Sequence, residues 1–242
     1  MALPAAVYEV DSPAELRRTL PLLQANDTLK IAPGTYPGGQ QVRELAALTI
    51  EGMDAKNPPL FTGGNVGWHF IRTPGLTLRH LHIRGMKHNG VNLDDGGKMT
   101  SPVAGITLEH LNIEDIGPDG NFDAIKCSGL QKLAIRHCQI SGWGGQAIDL
   151  VGCREVRISE CEMRGKSGFS QHTGPQFKGG CEDIILEKCR LIDAGPRPIQ
   201  VGGSTGEAYF RPPGATWEAR RVTVRENLIE GGQCATAFTG CT

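Results

Sequence analysis

One eight-position pattern recurs along the chain: apolar, any, apolar, any, any, apolar or Cys, any, apolar. It fits Leu76, Leu78, Leu81 and Ile83; Ile106, Leu108, Leu111 and Ile113; and Leu133, Ile135, Cys138 and Ile140. It returns at Val156, Ile158, Cys161 and Met163, at Ile184, Leu186, Cys189 and Leu191, and at Val222, Val224, Asn227 and Ile229. Of these 24 positions 23 are apolar, where the 39% apolar background gives about 9. Successive copies begin 30, 27, 23, 28 and 38 residues apart, and each later copy follows a second period-two segment: GVNLDD, DAIKCSG, QAIDLVG, PQFKGG and RPIQVGG. Short extended runs broken by glycine, with no helical stretch between them, predict an all-β solenoid. The form that fits is a right-handed, single-stranded parallel β-helix, one coil per unit, with strands stacked about 4.8 Å apart. The corners of such coils need positive φ or close backbone approach, which assigns Gly142, Gly144, Gly145, Gly179, Gly180, Gly202 and Gly203 to bends. Extra length goes into loops, so the insertions at Asp94 to Val103 and Ser204 to Trp217 are expected to project from one side.

The first 35 residues differ. Ser12, Pro13 and Glu15 make a helix start, and Leu16, Leu20 and Leu23 give it an apolar stripe, so residues 1–35 are read as an N-terminal capping helix and first strand. Residues 36–242 then form the coils of one β-helix domain. The sequence ends at Phe238, Thr239, Gly240, Cys241 and Thr242 inside a further coil, so the expectation is either a longer natural chain or an uncapped edge that invites self-association. With NDTLKIAPGTYPG following the helix, the chain resembles the pectate-lyase-like β-helix superfamily over nearly its whole length. That resemblance is compatible with an extracellular or periplasmic location, although the opening MALPAAVYEVDSP has neither the basic nor the apolar region of a secretory signal.

Composition narrows the function classes. The formal net charge is −1, from 25 basic and 26 acidic residues spread along the chain, so no nucleic-acid or membrane partner is indicated. No apolar run approaches the length of a membrane span. Eight cysteines include no Cys-x-x-Cys pair, which argues against a zinc module. Cys138, Cys161 and Cys189 hold one pattern position on three coils and are read as small buried hydrophobes. Cys153, Cys181 and Cys241 share a corner position.

Strand alternation turns the polar middle of each second strand outward: Asn92, Lys126, Asp149, Lys178 and Gln200 would form one row, with Asp149 between two lysines. Such a row is either a solvated salt-bridge ladder or the floor of a groove for an anionic sugar chain. Near it lie His172, Arg197 (held between two prolines), Tyr209 and Arg211, with Tyr209, Phe210, Trp143 and Trp217 as candidates for stacking on sugar rings. Lysine and arginine on adjacent coils resemble the arrangement in the β-helical family of chondroitinase B and alginate lyases. This implies Lys178 as base, Arg197 and Lys126 as carboxylate-neutralising catalytic groups, and Asn92, Asp149, His172, Gln200, Tyr209 and Arg211 as substrate contacts. The partner would be an acidic, uronate-containing polysaccharide cleaved by β-elimination. In that family acidic calcium ligands precede the lysine; Gln176 and Phe177 stand there in this chain, and an Arg-His-Gly strand is replaced by Gln200, Val201 and Gly202, so no metal or other cofactor is assigned. Polygalacturonase-type hydrolysis lacks its Arg-x-Lys segment, and the epimerase signature Asp-Pro-His-Glu is absent. Pectin-methylesterase-like chemistry is matched only loosely by Asp123, Asp149 and Arg197. The competing reading is a non-catalytic glycan-binding or structural β-helix.

Overall fold

The computed structural model describes residues 4–241. Among them the strands lie in three parallel sheets of nine, eight and eight strands, and each full coil gives one strand to each sheet. This is the right-handed parallel β-helix that the pattern predicts, with one short helix near its start.

The repeated apolar positions form the interior. Leu78, Leu108, Ile135, Ile158 and Leu186 are stacked in register and fully buried, each contributing roughly 1.5–3 kcal/mol through burial. The eight-position pattern spans two strands, however, so each coil has three strands and not two. In the coil of Leu76, Thr77–Arg79 belongs to the nine-stranded sheet and His82–Arg84 to another. The bend between them is made without glycine: His80, His110, His137, Glu160, Lys188 and Glu226 all take φ between 51° and 57°. Left-handed geometry in a non-glycine residue costs roughly 1–2 kcal/mol, and the apolar residues fixed on both sides of the bend impose it. At three consecutive coils the imidazoles stack on this edge, 5.0 Å apart for His80–His110 and 4.9 Å for His110–His137.

Cys138, Cys161 and Cys189 are buried, unbridged thiols in one core column, and the amide of Cys138 donates to Cys161 Sγ at 3.5 Å. Burial pushes the thiols of Cys127 and Cys181 well above their ordinary range, as suits packing groups. The helix α1 (Pro13–Thr19) covers the first coil through Leu16, with Ser12 Oγ accepting from the Glu15 amide at 3.4 Å. A strand, Val7–Val10, precedes this helix, so the first strand comes before the cap and not after it. At the other end Val224, Leu228 and Phe238 are exposed; Thr242 lies outside the described residues.

The outer face of the nine-stranded sheet carries a row that the pattern did not single out. Glu9, Lys30, Glu51, Arg79, Glu109, Arg136, Ser159, Glu187 and Arg225 pair coil by coil, so acid and base alternate except at Ser159. Arg79 reaches Glu51 at 2.5 Å and Arg136 reaches Glu109 at 2.7 Å.

Candidate functional site

The expected polar row exists on the eight-stranded sheet made of the second segments, with one change of register. Its pairs run Asn92 to Lys126, Lys126 to Asp149, Asp149 to Gln176 and Gln176 to Gln200. Gln176 therefore holds the place expected for Lys178. The cause is Pro175, which takes the core column of Ile148 and sets Phe177 over Leu150, moving the whole strand Thr173–Lys178 by two positions. Lys178 pairs with Val151, but its chain reaches diagonally and Nζ stands 3.0 Å from Asp149 Oδ1. Asp149 still lies between two lysines, because Lys126 Nζ donates to its Oδ2 at 2.6 Å.

Asp149 was expected to point outward, in a solvated ladder or on a groove floor; it has no exposed surface, being covered at the floor of a cleft of about 580 Å³. Behind Lys126 is a second carboxylate, Asp123, also fully buried. Its Oδ2 accepts from Lys126 at 2.8 Å and its Oδ1 from the Gln146 amide at 2.9 Å. Burial, and then the neighbouring charge of Asp149, raise the Asp123 carboxyl above its ordinary range. For Lys126 burial works against the ammonium, but Asp149 and Asp123 outweigh it and raise its pKa, so this lysine is a fixed cation. Asp149 Oδ1 has the charge of Lys178 beside it but no aligned hydrogen-bond donor. The floor thus offers one cation with two carboxylates, one with a single carboxylate, and a buried carboxylate oxygen without an aligned donor.

The walls come from the two long insertions, which do share one side. The strap 204–217 runs back across four coils, and Arg211 Nε donates to Asp95 Oδ2 at 2.6 Å with Nη2 3.3 Å from Oδ1. The strap lies in a trough where the bends after the strands Ile125–Ser128, Gln146–Val151 and Thr173–Lys178 are the glycines Gly129, Gly152 and Gly179. A Cβ on Gly152, whose φ is +60°, would stand 2.2 Å from Arg211 Cβ, and one on Gly129 would stand 2.2 Å from Asp95 Oδ2. In the coils the strap does not cross, the same bend carries Glu44 and Arg72. The strap's base is held by Glu218, which accepts from the amides of Gly179 and Thr205 at 2.6 Å each.

Of the residues singled out in the sequence, Asn92, Lys126, Asp149, Lys178, Tyr209 and Arg211 line this cleft. Arg211 does so as a buried structural tie to Asp95, its guanidinium already matched by a carboxylate, and not as a free substrate contact. Tyr209, 63% exposed, stands on the strap. Gln200 is buried in the row beyond the cleft, with Nε2 3.3 Å from Thr239 Oγ1. Arg197 and His172 lie outside. Arg197 bridges to Thr173, five residues before Lys178 on the paired strand, which puts it about 16 Å away at the other edge of the sheet. His172, beside Thr173, is exposed at that same edge. Trp143 is fully buried, donating Nε1–H to Thr173 O at 2.8 Å, and Trp217 packs under the Arg220 guanidinium at 3.5 Å, so neither presents a ring to the cleft. Asp123, named in the sequence only in the loose pectin-methylesterase-like match, was not expected beside Lys126; the local signal for that is its place three residues before Lys126. Among the described residues no group of three or more His, Cys, Asp or Glu is arranged to hold a metal, and no helix is long and apolar enough to cross a membrane.

Residues 69–242 match a family model described as "Right handed beta helix region". No curated protein sequence matches the chain significantly. Among solved structures the chain is similar to an alginate lyase from Paenibacillus sp. str. FPU-7, with a TM-score of 0.65 and 18% identity over 93% of this chain and 76% of that one. It is also similar to the catalytic domain of a GH87 α-1,3-glucanase solved with tetrasaccharides (TM-score 0.53, 12% identity, 81% of this chain and 34% of that one). A third similar structure is the pectate lyase Pel9A (0.51, 9%, 98% and 78%). At these identities the likeness is one of fold.

Proposed function

The chain belongs to the right-handed β-helix family, and on that premise we propose that it is a carbohydrate-active protein whose cleft cleaves a uronate-containing polysaccharide by β-elimination. The observation that carries this reading is the convergence of Lys126 and Lys178 on the buried Asp149 at the floor of an open cleft. Two of the folds it resembles are those of an alginate lyase and a pectate lyase, which is why uronate polymers are chosen over other acidic glycans.

In this proposal Lys126, held as a cation by two carboxylates, gives its third N–H to the uronate carboxylate and so helps to acidify the neighbouring C5–H. Lys178, once it has passed its ammonium proton to solvent, takes the C5 proton. The C–H electron pair becomes the C4=C5 double bond, the C4–O bond breaks, and the leaving oxygen takes a proton from Tyr209 on the strap. Arg197 has no part in it, because of its place at the far edge of the sheet. Incubation with alginate, pectate and glycosaminoglycans is expected to give the ultraviolet absorbance of an unsaturated uronate with at least one polymer. Lys178→Ala is expected to reduce the rate by about a hundredfold or more; full activity in that variant overturns the choice of base.

A second reading, binding without cleavage, is favoured by the ion pairing itself: both lysines have Asp149 as a partner without any substrate. A protein that binds these polymers and yields no unsaturated product selects it.

A further inference from the structure

The polar row does not begin at Asn92. Asn92 pairs with His69, and His69 with Gln41, so seven outward positions run without an apolar interruption: Gln41, His69, Asn92, Lys126, Asp149, Gln176 and Gln200. Six rungs of about 4.8 Å make a track close to 29 Å long. Its chemistry changes along its length. The charged rungs Lys126 and Asp149 are followed toward the start of the chain only by amides and one imidazole.

Those first rungs border their own depression of about 350 Å³, lined by Gly39, Gln40, Gln41, Asn65, Val66 and His69. No lysine, arginine or carboxylate lines it. His69 joins the two hollows: its Nε2 lies 2.6 Å from Asp94 Oδ2, and Asp94 lines the lysine cleft. Asp94 is itself fixed, accepting from Asn92 Nδ2 at 3.3 Å and from the Gly96 amide at 2.8 Å. The imidazole is therefore oriented, with Nδ1 the nitrogen left for a ligand. Amide side chains offer a donor and an acceptor side by side, which matches adjacent hydroxyls on an uncharged sugar ring; a carboxylate brought here finds no lining lysine or arginine to neutralise it.

We infer that the track continues past the lysine cleft into a binding section for neutral sugar units at Gln41, Asn65 and His69, so that the ligand is a mixed polymer in which a uronate is followed on one side by uncharged residues. This rests on the proposed uronate site at Lys126 and Lys178.

The test uses Lys178→Ala protein, in which ligand is not consumed, and oligosaccharides of equal length: all uronate, uronate joined to neutral hexoses, and all neutral. Calorimetric titration is expected to show the mixed oligomers binding about tenfold more tightly than the all-uronate ones, the worth of two ordinary hydrogen bonds. The double variant Gln41→Ala, Asn65→Ala, both at exposed positions, is expected to abolish that preference and leave the all-uronate affinity unchanged. Equal binding of mixed and all-uronate oligomers, or a preference that survives the double variant, overturns the inference. Neutral oligomers that bind through Gln41 and Asn65 while uronates bind neither this variant nor the wild-type protein sustain the neutral section and remove the lysine reading. Binding of none of the three overturns both.

Discussion

Two polar rows run the length of this molecule, on different sheets and with the same rung spacing, and they handle charge in opposite ways. On the nine-stranded sheet acids and bases alternate nearly one for one, and although carboxylates such as Glu109 and Glu187 are covered, each by a base, guanidiniums such as Arg79 and Arg136 remain 40% and 49% exposed. On the cleft sheet two ammoniums and two carboxylates are gathered around Lys126, and the carboxylates Asp123 and Asp149 have no exposure at all. An evenly alternating ladder in contact with water favours the correct register at little cost and little gain. A buried cluster with one carboxylate between two lysines is costly to assemble and is held there by the coils and the strap around it. The difference separates a row that holds register from one that can do chemistry.

The strongest way to break the comparison is to remove the shared carboxylate. Asp149→Ala leaves Lys126 and Lys178 without their common partner and is expected to cost about 3–5 kcal/mol in urea unfolding, whereas Arg79→Ala in the ladder is expected to cost less than about 1 kcal/mol. Similar losses at both sites would show the rows to be equivalent. Next in size, Gly152→Ala adds a Cβ against Arg211 at a left-handed position. It should destabilise the protein by about 2 kcal/mol and open the strap to limited proteolysis, with the ladder's ion pairs untouched.

The smallest effects are the pH dependences, which have opposite signs. Burial opposes ionisation of Glu109, but the Arg136 hydrogen bond and the charges of Arg136 and Arg79 hold its carboxyl below the ordinary 4.5. Its stabilising share is complete above that pH and is lost as acid takes the solution down through the folded value. Asp123 is raised above its ordinary 3.8, so its share is present in acid and is lost as the pH rises through the folded value. Unfolding midpoints measured across the acid range are expected to lose part of their acid decline in Glu109→Gln and part of their opposing trend in Asp123→Asn. Changes of the same sign in both variants would contradict the assignment.

The interior was legible because the columns of Leu, Ile, Val and Cys repeat in sequence as they stack in space. The polar row was legible for the same reason up to Pro175, a residue that reads as a strand breaker and here fills a core column; Lys178 was placed in the row and Gln176 left out. The row's start at Gln41 and His69 was not seen, although His69 lies between Trp68 and Phe70 as Asn92 lies between Val91 and Leu93; the repeat was read only from Leu76 onward. Arg197 was read as near Lys178 from sequence distance, and the strand direction puts it at the far edge. The role of Arg211 could not be read at all: its partner, Asp95, lies 116 residues earlier, and nothing local to either residue announces the other. The aromatic residues misled in a simpler way. Trp143, read as a candidate for stacking on sugar rings, is fully buried together with Tyr36, Phe61, Trp68, Phe70 and Phe177, so these rings serve the core of the coils and not a binding face.

That same Arg211–Asp95 tie bears on the order in which the molecule forms. Most other contacts join neighbouring coils, so stacking can propagate from one unit to the next. Closing a loop of 116 residues in an unstructured chain costs about 4 kcal/mol of chain entropy, and far less once the four intervening coils are stacked. The tie therefore closes late, and the cleft wall is completed after the helix that carries it. In the native state the strap is the segment expected to open first, and hydrogen exchange at Thr205 and Arg211 should be faster than in the coil strands beneath them.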